Sequence, residues 1–144
     1  MATTKTYGSL ITKAFNKEID WDTDTIKVAL VANTYTPNQD THDYWDDVSA
    51  NEISGTGYTA GGITLSSKTV GYTAGTNVTK FDAADVSWTS STLTARYAVI
   101  YLSTATASTS PLIGYIDFGS DQSSSAGTFS IVWDSAGIFT TTAD

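Results

Sequence analysis

The stretch Thr94–Gly119, TARYAVIYLSTATASTSPLIGYIDFG, decides the fold. Its first run sets Arg96, Ala98, Ile100 and Leu102 on one face of an extended chain and Tyr97, Val99 and Tyr101 on the other. Both faces are apolar enough for a strand in the interior of a sheet. The second run, Leu112 to Phe118, alternates again. The Ser/Thr/Ala segment between them, with Pro111, is too polar and too long for a tight hairpin turn. Two antiparallel neighbours joined by an exposed loop are expected.

Downstream, Asp121–Gly127 reads as a Ser-rich loop, and Thr128–Asp134 as a half-buried strand with Phe129, Ile131 and Trp133 inward. Gly137 turns the chain, and Ile138 and Phe139 close the core. Upstream, Val78–Phe81 and Asp85–Trp88 are brief strands flanking Asp82 and Asp85, whose carboxylates suit turns, with Val86 and Trp88 on a core face. In the strand Ile63–Tyr72 the apolar phase moves from Ile63 and Leu65 to Val70 and Tyr72, which predicts a bulge or bend at Ser66–Lys68 and a change of partner there. GYTAG occurs at Gly57–Gly61 and again at Gly71–Gly75, too few copies for a solenoid, and reads as similar turns at the two ends of that strand.

Thr4–Glu18 alone has helical periodicity. Tyr7, Leu10, Ile11, Ala14, Phe15 and Ile19 fall at steps of three and four, with Thr6 or Ser9 available as a cap. Its apolar stripe is expected to cover an open end of the sheet; the sharper reading is an arm that docks on a neighbouring subunit. The organisation is therefore a helix or arm over residues 1–18 ahead of a β domain over 19–144. Eight or so strands at short spacing predict an all-β, antiparallel β-sandwich, jelly-roll-like or immunoglobulin-like, with a closed barrel as the alternative.

Chemistry is sparse. Seven basic and fifteen acidic residues give a formal charge of −8, which repels nucleic acid and anionic membrane surfaces. Cysteine is absent, so disulfides, thiolate nucleophiles and thiolate zinc sites are excluded together. Nothing has the pattern of a secretory signal or a membrane span, and a soluble cytosolic product is expected. Asp20, Asp22 and Asp24 alternate like half a calcium loop, but Thr25 replaces the required glycine and Val31 the closing acid, so an EF-hand is excluded. A looser cation site there is the sharper reading, a solvated turn out of the helix the plainer one.

The long irregular segment Asn33–Asn51 holds the only histidine, His42, beside Asp40, Asp43, Asp46 and Asp47, with Tyr44 and Trp45. No second histidine or placed nucleophile accompanies His42, so neither metal binding nor general-base chemistry is expected. A helical turn at Asp43–Val48 that packs Tyr44 or Trp45 onto the sheet competes with Trp45 as an interface anchor. No Gly-x-Ser-x-Gly elbow, phosphate-binding glycine loop or paired catalytic carboxylates are recognisable, which points away from an enzyme and from any cofactor.

The segments IDWDTDTIKVALV, YTPNQD, GYTAGGITLSSKTV, FDAADVSW, ARYAVIY, SPLIGYIDFG and GTFSIVWDSAGI, in this order over Ile19–Phe139, resemble a family of small proteins encoded among the structural genes of tailed bacteriophages. The resemblance implies a virion component, foremost a capsid decoration or cement protein that binds the major capsid protein, located on the capsid surface and in the host cytoplasm during assembly. It brings no catalytic residue with it. A symmetric homo-oligomer is expected, a trimer foremost. Leu10, Ile11 and Phe15 on the helix and Tyr44 and Trp45 in the loop are the candidate interface residues, one group for sister subunits and the other for the shell. A tail or baseplate component is the alternative. A carbohydrate-binding module is the third reading, and it predicts Trp45 or Trp21 as a solvent-facing stacking platform.

Overall fold

Two antiparallel sheets share the chain in a computed structural model that describes residues 2–144. The elements are β1 (Lys5–Thr6), α1 (Leu10–Phe15), β2 (Ile26–Val31), β3 (Ile63–Thr64), β4 (Thr69–Thr73), β5 (Val78–Asp82), β6 (Val86–Leu102), β7 (Leu112–Ile131) and β8 (Phe139–Thr142). The larger sheet runs β1-β7-β6-β2-β3 and the smaller β4-β5-β8. The protein is thus mainly β, with one short α-helix, and forms a sandwich-like domain.

β6 lies inside the larger sheet, as its two apolar faces require. Val28 pairs with Ile100 and Leu30 with Ala98, and these side chains enter the core beneath the smaller sheet. Ala29 pairs with Val99, and Tyr101 with Leu112, on the opposite face. That second face is covered by an irregular layer that brings Tyr7, Tyr35, Trp45 and Val48 onto the sheet. Each such side chain withdrawn from water contributes about 1.5–3 kcal/mol, so Tyr35, Trp45 and Val48 anchor the segment at 33–51 to the sheet.

Arg96 departs from its expected face. The β6–β7 register shifts between Ala95 and Tyr97, so Ala95 and Ala98 both face the core while Arg96 turns outward. There it clasps Asp117, Nε to Oδ1 at 2.7 Å and Nη2 to Oδ2 at 3.3 Å, and this holds the carboxyl below its usual range.

The change of partner after Ile63 is present: β3 pairs with β2 in the larger sheet, β4 pairs with β5 in the smaller, and Ser67 between them adopts a φ of +52°. Asp121–Gly127, in contrast, is no loop. It continues β7, and Val86–Trp88 likewise opens a 17-residue β6. Hydroxyl pairs replace apolar ones across this ribbon, Ser91 with Ser124 and Thr94 with Ser123, each at 2.8 Å. Serine carries no apolar alternation, which is why the extension is invisible to periodicity. Register shifts, with Ser90 and Ala126 both at a φ of +48°, bend the ribbon until the Phe118 and Phe129 rings of the same strand are 6.0 Å apart. The two GYTAG copies also differ: the first is a turn with Gly57 and Gly61 at positive φ, the second a strand end running into the β4–β5 hairpin.

The N-terminal helix is shorter than its periodicity suggested. Lys5 and Thr6 pair with Tyr115 and Gly114 of β7, so the first turn of the expected helix is an edge strand. Gly114 admits it; a Cβ there would lie 2.7 Å from the Thr4 Cγ2 and 2.9 Å from the Lys5 carbonyl. Lys5 and Thr6 are thereby joined to the larger sheet. Ser9 occupies the N-cap position without a side-chain capping bond. The Asp20–Asp24 segment is the plainer turn: the Asp20 Oδ1 accepts from the backbone N–H groups of Asp22 and Thr23 at 3.1 and 3.2 Å, which depresses its pKa.

Candidate functional site

Of the five candidate interface residues, Leu10 and Trp45 are buried, Ile11 and Phe15 are exposed, and Tyr44 meets the helix through Lys13. Of the α1 stripe only Leu10 faces the core; Ile11 is 48% exposed and Phe15 84%. The expected inward stripe is thus corrected by one helical position, because Lys13 occupies the place on the inner side. Lys13 threads its aliphatic stem inward and sets its ammonium 3.5 Å from the centre of the Tyr44 ring. Glu18 lies 3.6 Å and Asp43 3.5 Å from the same nitrogen. The Tyr44 hydroxyl donates to Glu18 at 2.9 Å. Burial alone would lower the Lys13 pKa, but Tyr44, Glu18 and Asp43 outweigh it and hold the pKa above the ordinary lysine value.

This clamp ties α1 to the loop, and the loop to the sheet. Asp47 accepts from the backbone N–H of Asp43 at 2.9 Å and of Tyr44 at 3.4 Å, closing a short 3₁₀ turn at Trp45–Asp47. The Trp45 N–H donates to the Ser110 carbonyl and the Leu112 N–H to that of Asp43. Trp45 itself is only 7% exposed and stacks on Tyr101 with ring centres 4.2 Å apart and planes within 7°. It is a core residue of the second face, so the structural alternative weighed against the anchor is the one observed.

Below the clamp, the Tyr7 and Tyr35 hydroxyls share a hydrogen bond of 2.8 Å, and Tyr35 reaches His42 Nδ1 at 2.9 Å. The Asn38 N–H donates to the same nitrogen at 3.3 Å. His42 is thereby tied into the loop's own frame. Burial pushes Tyr35 up to about 12 and raises Tyr7 further. Among the described residues no group of three or more His, Asp or Glu side chains is placed to hold a metal ion.

Trp21 and Trp45 are both buried, as are Trp88 and Trp133, so the stacking platform that the carbohydrate reading needed is not on the surface. Trp21 instead meets Phe81 and Phe139 edge to face and donates its Nε1–H to the Thr69 carbonyl at 3.0 Å, joining the smaller sheet to the chain before β2. A groove of about 600 Å³ lies between the two arms of the bent β7, where Ile116, Phe118, Phe129 and Ile131 are fringed by Ser123, Thr128 and Ser130 and Ala2 and Thr3 complete the lining. No protein-family model, no curated protein and no solved structure matches the chain.

Lys13 is the site residue that sequence reasoning passed over; a lysine three positions after a buried leucine looks like any solvated helix residue. Lys13→Met is expected to cost about 1–2 kcal/mol at neutral pH, the partners being half exposed, through loss of the cation over Tyr44 and the two carboxylates left facing each other. A folded pKa raised above the unfolded value stabilises fully below about 10.4 and less as pH climbs past it. The gap between wild type and variant in urea midpoint is therefore expected to narrow from about pH 9 to about pH 12.

Proposed function

We propose that the chain is a non-enzymatic structural protein of a tailed-phage particle, which decorates and stabilises the capsid by binding the major capsid protein as a homo-oligomer. The observation that carries this reading is an outward-facing apolar helix face on an immobilised base. Ile11 and Phe15 stand exposed on α1, while Leu10, the Lys13 clamp and the Trp45–Tyr101 stack hold that helix and its neighbouring loop in place. A contact surface ordered before it meets its partner loses little conformational entropy on binding, and many copies on a lattice multiply a modest interface. The sequence resemblance supports the same role, with the capsid surface as the final location and the host cytoplasm as the place of assembly.

Purified protein mixed with undecorated capsids of the cognate phage and imaged by electron microscopy is expected to give ordered density at regular lattice positions. Ile11→Ser is expected to reduce that occupancy without lowering the unfolding midpoint, since the side chain stands exposed on α1. Capsids left bare, with density only on isolated tails, would replace the cement role by a tail or baseplate role.

A further inference from the structure

We propose that a second copy of this chain docks on the surface shared by the end of α1 and β4, each copy's Phe15 entering the other's groove across a two-fold axis. A phenyl ring left 84% exposed is costly in water, and it does not fill the depression next to it. That depression, about 450 Å³, is walled by Ala14, Ile19, Trp21, Val70 and Phe81, and Val70 is itself exposed. It has room for an aromatic side chain. Ala14, the chain neighbour of Phe15, lines the groove, so two copies that exchange knob and groove make the same contact twice and close the assembly.

Charge selects a second copy over another occupant. Two molecules at −8 repel over most of their surfaces. On this rim, however, Lys17 shares the depression's lining with Asp20 and Asp22, and Lys68 bonds the nearby Asp24 backbone carbonyl, so two cations offset part of the acidic charge there. Lys17 makes no ion pair among the described residues, and Asp22 offers its carboxylate to none of its neighbours' hydrogen-bond donors there. Lys17 also sits just past the end of α1 with a φ of +64°, a conformation that favours glycine or asparagine. In a two-fold pair Lys17 of each copy faces Asp22 of the other, a self-complementary arrangement. This places a two-fold pair ahead of the trimer expected from sequence.

The inference rests on the proposed function only in taking the chain to act in several copies, and it is tested without capsids, so capsid binding by a non-associating variant remains a separate measurement. Sedimentation equilibrium on wild type, Phe15→Ser, Lys17→Glu and Asp22→Lys is the experiment. Wild type is expected to form a dimer, and Phe15→Ser to weaken it about tenfold or more with an unchanged unfolding midpoint. Lys17→Glu and Asp22→Lys are each expected to associate less than wild type. Mixed one to one they are expected to recover a dimer, because two like-charged contacts in each homodimer become two opposite-charged contacts in the mixed one. A wild type that stays monomeric to about 1 mM, a trimer, an unaffected Phe15→Ser, or a mixture no more associated than its components would each overturn the proposal.

Discussion

Gly62→Ala is expected to lower stability by about 4 kcal/mol or more, a large part of what a domain of this size possesses. A Cβ at Gly62 would lie 1.9 Å from the Val28 carbonyl oxygen, 2.6 Å from its carbon and 2.7 Å from the Ala29 Cα. All three atoms belong to the backbone of β2 at Val28 and Ala29, which are fully buried, with β2 held between β6 and β3. The backbone at Gly62 also has a φ of +81°, where an L side chain adds strain even in open space. Chemical denaturation of the variant is the measurement. Gly71→Ala is the internal comparison: a Cβ there meets nothing within 4 Å, and replacing a glycine inside a strand is expected to be neutral or to stabilise by up to about 1 kcal/mol. Equal effects at the two glycines would show that the close packing of the Gly61–Gly62 turn on β2 is not what holds that edge of the sheet.

Trp45→Ala is expected to cost about 3–5 kcal/mol, and the loss is one of folding rather than of binding. The substitution removes the ring stacked on Tyr101 and opens a void beneath the loop at 33–51, where Tyr35 and Val48 share the same cluster. Tyr101 would be left with its hydroxyl bond to the Gly61 carbonyl at 2.8 Å but without its apolar cover. The check is a paired one: urea midpoint and capsid occupancy for Trp45→Ala and Trp45→Phe. Trp45→Phe restores most of the burial and is expected to recover stability to within about 1–3 kcal/mol of wild type, with occupancy following stability in both variants. An unchanged midpoint accompanied by lost occupancy would return Trp45 to the surface as an anchor.

What could be read from sequence was whatever buries an alternating pattern. The two apolar faces of Tyr97–Leu102, the inward set Phe129, Ile131 and Trp133, and the change of phase after Leu65 each leave a mark on periodicity, and each is where it was expected. The serines at 123–125 leave none, because a strand paired by backbone and hydroxyl groups over solvent needs no apolar side chains. In the helix, periodicity located the element but not its rotation. Ile11 and Phe15 fit an inward stripe as well as Leu10 does, and only the clamp of Tyr44, Glu18 and Asp43 around Lys13 turns them out. Those partners lie up to about 30 residues away, beyond the reach of any local pattern. Tyr44 and Trp45 were legible as a pair of large aromatics, but adjacent residues on a turn point different ways, and which one the sheet would take was settled by Tyr101.

The pairing of β1 with β7 bears on how the chain reaches its native state. Lys5 and its ladder partner Tyr115 are separated by roughly 110 residues, and the Ala2 N–H bonds the Val132 carbonyl across a still longer span. Contacts of such high order are assembled late, after the local hairpins β4–β5 and β6–β7 have formed, because closing so long a loop sacrifices chain entropy before any ladder bond returns it. Until β7 is complete, the segment from Ala2 to Tyr7 has no partner, and the unpaired edge of β7 is open to strands from other chains. The same few residues that finish the sheet therefore act as its guard against intermolecular pairing during folding. Slow refolding, rather than low stability, is the property that this topology writes into the molecule.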